Sequence, residues 1–192
     1  MSTNFIFEIY RDKRTVFNLK EVALLVHEPD FVRLKQRLHY YVITNRLRNP
    51  RKGIYVKENY SPEELACKIY TPAYISLEYV LQKSGIIFQF SNHITIVSYL
   101  SRTIHVDEHI LRYRKIKNEI FYYTDGISMY NNGISIASPE RAFLDILYLN
   151  KIFYFDSLQG LNKEAVFNLL PAYKSNKLNK FVQNLFKNAG HQ

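Results

Sequence analysis

The chain has 192 residues, of which 47% are hydrophobic and 22% charged, and its 26 Lys and Arg against 17 Asp and Glu give a formal net charge of +9. These proportions exclude a disordered or low-complexity chain, and we expect the whole chain to fold. Charges interrupt every apolar run, and with a mean hydropathy of −0.24 this excludes a membrane span. A single cysteine, Cys67, excludes an internal disulfide, and residues 1–14 have no secretory apolar core, so we expect a cytoplasmic protein.

The excess of basic charge is N-terminal. Residues 1–60 hold twelve Lys or Arg and six Asp or Glu, whereas residues 61–192 hold fourteen and eleven. Eight basic residues and no acidic one occur in a single segment, and they are Arg33, Lys35, Arg37, Arg46, Arg48, Arg51, Lys52 and Lys57. Because a solvated face usually mixes both signs, this segment predicts a polyanion as partner.

Three helices are predicted at the N-terminus. Residues 2–12 form the first. Asn18 is a candidate N-cap with Glu21 at the capping-box position, which starts the second. Asp30 can cap a third helix over residues 31–44. A short helix, a tight turn and a longer helix follow one another as in a helix-turn-helix.

The third predicted helix has two distinct faces at about 100° per residue. Its packing face is predicted to consist of Phe31, Leu34, Leu38, Tyr41 and Asn45. A separate stripe of hydrogen-bonding side chains consists of Arg33, Arg37, Tyr40 and Thr44. One face would therefore pack on the domain while the other remains free for a ligand.

A basic two-stranded wing is predicted after this helix. Asn45 tolerates a left-handed helix end, and Arg46-Leu47-Arg48 and Gly53-Ile54-Tyr55-Val56 suit short strands joined by a turn over Asn49 to Lys52. The predicted fold class is α+β. A winged helix-turn-helix domain over residues 1–60 precedes a domain over residues 61–192, made of mainly antiparallel strands flanked by helices.

This region is predicted to bind double-stranded DNA. Lys and Arg suit phosphates, while Arg, Gln, Asn and Thr on an inserted helix suit base edges. We expect the third helix in the major groove, with wing residues Arg48, Arg51 and Lys52 on phosphates or in the adjacent minor groove. The candidate DNA-binding residues are Arg33, Lys35, Gln36, Arg37, Tyr40, Thr44, Arg46, Arg48, Arg51 and Lys52. The alternative interpretation is a small helical cap with a solvated basic surface.

The remaining chain alternates helix and strand signals. Helix starts are predicted at Ser61-Pro62, at Ser76 with Gly85 closing that helix, and at Ser138-Pro139. Strand-like runs cover residues 94–99, 103–106, 110–116, 120–123, 127–130 and 134–137, with a hairpin signal at Asn131-Asn132-Gly133. Terminal helices are predicted over residues 163–170 and 176–187, with Asn162 and Ser175 as caps.

Several segments carry a family resemblance. In the first domain, Asn18-Leu19-Lys20-Glu21, Asn45-Arg46-Leu47 and Arg51-Lys52-Gly53-Ile54-Tyr55-Val56 resemble the winged-helix domain of AbiEi-family antitoxins from bacterial type IV toxin-antitoxin systems. In the second domain, Thr71-Pro72-Ala73-Tyr74-Ile75-Ser76-Leu77-Glu78, with Gly85, and Ala137-Ser138-Pro139-Glu140-Arg141-Ala142-Phe143-Leu144-Asp145 resemble two signature segments of that family.

The resemblance implies a repressor of its own promoter, bound to an operator of repeats. It also implies a nucleotidyltransferase-type toxin, encoded in the same operon, as functional partner; whether the two proteins touch is left open. Such systems act in phage resistance.

Catalytic patterns have little support. His105-Val106-Asp107-Glu108-His109 matches the HxxEH pattern of zinc peptidases, but that chemistry needs a helix and the flanking residues predict strands with a turn at Asp107-Glu108. Asp145 is either a functional acid or a local ion-pair partner of Arg141. We expect no enzyme, no metal and no cofactor. A protein-interaction module, whose basic face binds an acidic partner, and a zinc hydrolase remain as alternatives.

Overall fold

The computed structural model describes residues 5–89, 91–150 and 152–189. Over these residues the chain is α+β, with nine α-helices, one 3-10 helix and two β-sheets. The N-terminal elements are α1 (Phe5–Arg11), β1 (Val16–Asn18), α2 (Leu19–Leu25), α3 (Phe31–Ile43), β2 (Arg48–Arg51) and β3 (Ile54–Val56).

The following elements build the larger part of the molecule. They are α4 (Pro62–Ile69), β4 (Ala73–Ile75), α5 (Glu78–Lys83), β5 (His93–Ser98), β6 (Arg102–Val106), β7 (His109–Lys115), α6 (Asn118–Phe121), β8 (Ile127–Met129), β9 (Ser135–Ala137), α7 (Pro139–Leu149), α8 (Lys163–Leu169), the 3-10 helix (Leu170–Tyr173) and α9 (Asn176–Ala189). No helix within the described ranges is long and apolar enough to cross a membrane.

Local capping explains where the N-terminal helices begin. Asn18 and Glu21 form the predicted capping box, in which each side chain accepts from the backbone N–H of the other residue. The Asp30 side chain accepts from the backbone N–H groups of Val32 and Arg33 and starts α3. Both predictions are confirmed. The predicted first helix is confirmed from Phe5, and residues 2–4 lie outside the described residues.

The N-terminal sheet has three antiparallel strands in the order β1-β3-β2, one more than predicted. The turn of its hairpin is also displaced from the prediction, because Arg51 pairs with Ile54 and leaves only Lys52 and Gly53 between the strands. Gly53 has a φ of +80°, which a glycine adopts without strain. Residues 49–51, predicted as turn, belong instead to the edge strand β2. An edge strand tolerates Pro50, which has no backbone N–H to donate to a neighbouring strand.

The larger sheet has six strands in the order β6-β7-β5-β4-β9-β8. Three neighbouring pairs are antiparallel, and two pairs, β5 with β7 and β4 with β9, are parallel. Antiparallel pairing therefore predominates only narrowly, and the sheet is mixed. The predicted hairpin at Asn131-Asn132-Gly133 joins β8 to β9, with Gly133 at a φ of +86°.

Two local predictions in this part of the chain are wrong. Residues 120–123 were expected to be a strand, but α6 ends within them. Four residues are too few to show the alternation of a strand, and the burial of Ile120 and Phe121 outweighs their β propensity. Ser76 was expected to cap a helix; α5 begins at Glu78, with Leu77 in the cap position. The hydroxyl of Ser76 donates to Asp145 instead.

The apolar residues form two clusters. The smaller cluster holds α1, α2 and α3 together and consists of Phe5, Ile9, Phe17, Val22, Leu34, Leu38 and Leu47. The larger cluster fills the space around the six-stranded sheet and also contains Val16, Ile54 and Val56. The N-terminal sheet therefore packs one face on its own helices and the other on the core of the C-terminal elements.

Candidate nucleic-acid interface

Helix α3 presents most of the candidate side chains to solvent. Leu34 and Leu38 are fully buried in the smaller cluster and fix which face of the helix points inward. Phe31, predicted to pack, is 43% exposed, because it lies in the first turn and lines a groove beside Leu24 rather than entering the core. Asn45, predicted on the same face, is exposed and has the left-handed φ of +55° expected after a helix end.

Arg33 and Arg37 are oriented by one acidic residue, Glu28. Its Oε2 lies 3.6 Å from Nε of Arg33 and 3.9 Å from Nη1 of Arg37. The Arg33 side chain remains 70% exposed, so it can exchange this contact for another anion at little cost. Arg37 is held more firmly, because its guanidinium lies 4.2 Å above the ring of Phe5.

The other helix candidates differ in how free they are. Lys35 and Gln36 are exposed, and Tyr40 is exposed with its ring edge against Tyr41. The Thr44 hydroxyl donates to the carbonyl of Tyr40 at 2.8 Å and so closes the last turn of α3. We use the name α3 face for Arg33, Gln36, Arg37 and Tyr40, which lie on one side of the helix; Lys35 is exposed on another side. Thr44 is engaged within the helix and does not belong to this surface.

The β2–β3 hairpin, which was predicted to be a wing and keeps that name below, is tied to the C-terminal elements. Nη2 of Arg48 lies 2.6 Å from Oδ1 of Asp107, in the turn between β6 and β7. Arg51 donates to the hydroxyl of Tyr70 at 3.2 Å, and its guanidinium lies over that ring. Lys52, in the hairpin turn, is exposed and has no ion-pair partner among the described residues. Only one of the three predicted wing contacts is therefore free.

Two further basic residues of the acid-free segment differ in role. Arg46 is exposed, while its carbonyl accepts a 2.6 Å hydrogen bond from the hydroxyl of Tyr10. Nζ of Lys57 donates to the backbone carbonyls of Tyr10 and Asp12. Its positive charge thus lies at the C-terminus of α1, where the helix dipole is negative. Burial lowers the pKa of Lys57. Lys57 therefore fixes α1 against the sheet and is not free to contact a ligand.

A polar cleft of about 660 Å³ separates the wing from the β6–β7 turn. The Tyr60 hydroxyl donates to Asp107 Oδ2 at 2.5 Å, and burial followed by this hydrogen bond raises the pKa of Tyr60 above its ordinary range. Asp107 therefore bonds to both Arg48 and Tyr60, one on each of its oxygens.

The HxxEH segment forms the end of a hairpin, and the predicted turn at Asp107-Glu108 is confirmed. His105 pairs with Ile110, and His109 pairs with Val106. Because directly opposed residues share a face and successive residues alternate, His105 and His109 point to opposite faces of the sheet. Within the described ranges no group of three or more His, Cys, Asp or Glu is placed to hold a metal ion.

The two C-terminal segments of the resemblance meet at one buried ion pair. Nε of Arg141 lies 3.1 Å from Oδ1 of Asp145, one helical turn along α7, and both side chains are fully buried. The hydroxyls of Tyr74, Ser76 and Tyr173 also donate to Asp145, at 3.1, 2.8 and 2.7 Å. Burial raises the pKa of Asp145, and Arg141 and the hydroxyls of Tyr173 and Ser76 oppose that rise. The geometry favours the ion-pair interpretation of Asp145 over a solvent-accessible functional acid.

Arg141 in turn organises the loop before β8. It donates to the backbone carbonyls of Ile120, Tyr123 and Asp125. The sequence indicated an ion pair one turn apart on a helix but gave no sign of these distant partners, since each depends on how the sheet and α7 pack together.

Comparison of the chain with protein-family models and with curated proteins found no match.

Proposed function

We propose that the protein is a DNA-binding transcriptional repressor, and not an enzyme, in which residues 5–57 act as a winged helix-turn-helix. The element order α1-β1-α2-α3-β2-β3 supports this, because α2 and α3 follow each other across a short turn and the β2–β3 hairpin adjoins them. In such a unit the second of the two helices is the one inserted into the DNA.

The single observation that carries the proposal is the α3 face. It combines two arginines and a glutamine on one side of the helix, and among the described residues Glu28 is the acid paired with these arginines, at 3.6 Å from Arg33 and 3.9 Å from Arg37. Thirteen residues give α3 a length of about 20 Å at 1.5 Å per residue, and an α-helix fits the major groove, which is about 12 Å wide. Arg33 and Gln36 are suited to base edges, since their side chains can form paired hydrogen bonds to guanine and adenine.

Phosphate contacts are assigned to the exposed cations around this helix. Lys35, Arg46 and Lys52 lie on α3, on the connection after it and in the hairpin turn, and each is exposed. Contacts of this kind fix the register of a protein on a duplex without reading its sequence. Arg48 and Arg51 are not among these free cations, because Asp107 and Tyr70 engage them in the free protein.

The resemblance to AbiEi-family antitoxins extends the proposal. On this basis the DNA is the operator of the protein's own operon, and the C-terminal elements support protection against a nucleotidyltransferase-type toxin. The two activities should separate by mutation, since the α3 face is distant in sequence from the Arg141–Asp145 pair.

A reporter assay tests the proposal. Expression driven by the upstream promoter should fall when the wild-type protein is supplied, and Arg33→Ala with Gln36→Ala should relieve that repression. Lys163→Ala removes an exposed charge from the start of α8 and should repress like wild type. Equal repression by all three proteins, or none by wild type, would reject the repressor assignment.

A second candidate is a protein-interaction module whose basic α3 face binds an acidic protein. The engagement of Arg48 and Arg51 favours it, because Lys52 is then the one free cation of the three predicted in the wing. Loss of binding to an acidic partner protein in Arg33→Ala, without any effect on DNA, would support this candidate over the repressor.

A further inference from the structure

We propose that Asp107 is an intramolecular competitor for nucleic-acid phosphate at Arg48. The inference rests on the proposed function for the identity of the ligand. In the free protein the Asp107 carboxylate occupies the guanidinium of Arg48 at 2.6 Å, and a phosphate that binds at the wing takes its place. The wing is thereby coupled to the β6–β7 hairpin, in which Asp107 lies 59 residues after Arg48.

The geometry of Asp107 suits a competitor. It lies in the β6–β7 turn with a left-handed φ of +52°, and its carboxylate contacts Arg48 of β2. Its second oxygen accepts from Tyr60, so the carboxylate is held in place whether or not Arg48 is bound to it. The cleft around the pair is polar and open to solvent, which lets the guanidinium rotate without leaving a buried charge unpaired.

The exchange is energetically modest. Arg48 and Asp107 keep 47% and 30% of their side-chain exposure, and ion pairs at such positions contribute little to stability. A phosphate carries the same charge as the carboxylate and matches the planar guanidinium at least as well. Breaking the Arg48–Asp107 pair therefore lowers the affinity for the polyanion by a small factor. A variant without the Asp107 charge should regain that factor.

The test measures binding of heparin and, in parallel, of a short DNA duplex of arbitrary sequence to the full chain. Asp107→Asn removes the competing charge, and asparagine tolerates the left-handed backbone of this position. Glu108→Gln is the matched control, because it removes the same charge from the neighbouring residue, whose side chain is 87% exposed and contacts His109 rather than Arg48. Asp107→Gly, which also tolerates this φ, repeats the test if the asparagine variant has lost its cooperative unfolding.

Asp107→Asn should bind heparin about threefold more tightly than Glu108→Gln does, the factor expected for the loss of one partly exposed ion pair. In an Arg48→Ala background, Asp107→Asn should give no more gain than Glu108→Gln. Equal affinities of Asp107→Asn and Glu108→Gln, or a gain that survives in Arg48→Ala, would overturn the proposal. If Arg33→Ala leaves duplex binding unchanged but Asp107→Asn still binds heparin more tightly than Glu108→Gln, the repressor assignment fails and the competitor role of Asp107 stands. If Arg33→Ala weakens duplex binding but Asp107→Asn and Glu108→Gln bind heparin equally, only the competitor role is rejected.

Discussion

The carboxylate of Glu64, on α4, accepts a 2.6 Å hydrogen bond from the backbone nitrogen of Thr15, 49 residues earlier in the chain. The same oxygen accepts from the Thr15 hydroxyl and from the backbone nitrogen of Val16, and the other oxygen accepts from Asn132. One buried carboxylate thus satisfies the donors at the start of β1 and reaches the β8–β9 hairpin. The N-terminal sheet is attached to the C-terminal elements by this group as well as by shared apolar packing.

Replacing Glu64 should therefore weaken the whole molecule. Glu64→Ala leaves three donors of Thr15 and Val16 without their acceptor, and we expect the free energy of unfolding to fall by about 3 kcal/mol. Urea unfolding followed by far-UV circular dichroism measures it. Glu64→Gln keeps the shape and one acceptor and should cost less. Two separate transitions in the wild-type protein, or a loss below about 0.5 kcal/mol in the alanine variant, would contradict this coupling.

The Arg141–Asp145 pair should behave as a structural element. Asp145→Ala leaves a buried guanidinium without its counter-ion, and we expect a loss of about 3–5 kcal/mol in stability. Tyr173→Phe removes one hydroxyl donor from the same carboxylate and should cost about 1 kcal/mol. Chemical denaturation of both variants tests this. A stable Asp145→Ala protein that no longer counteracts the toxin would instead assign Asp145 a direct functional role.

Because the pKa of Glu63 is lowered in the folded protein, we expect the free energy of unfolding to depend on pH. Burial raises this pKa, but hydrogen bonds from Tyr79, Lys83 and Ser61 outweigh this and lower it to about 2. Because the folded-state pKa is depressed, the stabilisation is present above the ordinary pKa of 4.5 and is lost as the pH falls towards 2.

Glu63→Gln should thus lower the free energy of unfolding by about 1–2 kcal/mol at pH 7, and the difference from wild type should shrink steadily below pH 4.5. Urea titrations of both proteins at pH 7 and pH 3 measure this difference. A difference that stays constant with pH would show that the carboxylate charge has no part in it.

Substitutions of the neighbouring wing residues Lys52 and Arg51 should affect DNA binding unequally. Lys52 is free in the hairpin turn, so Lys52→Ala should weaken binding to all duplexes alike and reduce the salt slope by about 1. Arg51 donates to Tyr70, so Arg51→Ala should leave the slope nearly unchanged and lower stability slightly. Filter binding across a salt series compares them. The opposite order would place Arg51, and not Lys52, on the phosphates.

The sequence predicted local features well because they depend on neighbouring residues. The caps at Asn18, Asp30, Ser61 and Ser138 are all present, since each needs only a polar side chain and a backbone N–H two or three residues later. The strands β1 and β4 were missed because three residues are too few to display a period and, unlike β8 and β9, neither adjoins a hairpin signal.

The candidate site was predicted only in part, because local patterns show which side of a helix is exposed but not which distant residues it contacts. The exposed side of α3 follows from its apolar period, and Arg33 and Gln36 lie there. The partners of Arg48 and Arg51 are Asp107 and Tyr70, and both lie beyond the range of any local pattern. Placing those two arginines required the three-dimensional packing of the wing against the C-terminal elements.

The most direct test of the central claim is binding of the protein to its own upstream DNA and to a scrambled duplex over a salt series, with Arg33→Ala as the variant and Lys163→Ala as the charge-matched control. We predict tight, sequence-selective binding with a steep salt dependence, weakened by Arg33→Ala and not by Lys163→Ala. Equal, weak binding to both duplexes, or equal effects of the two variants, would contradict the claim that α3 reads DNA.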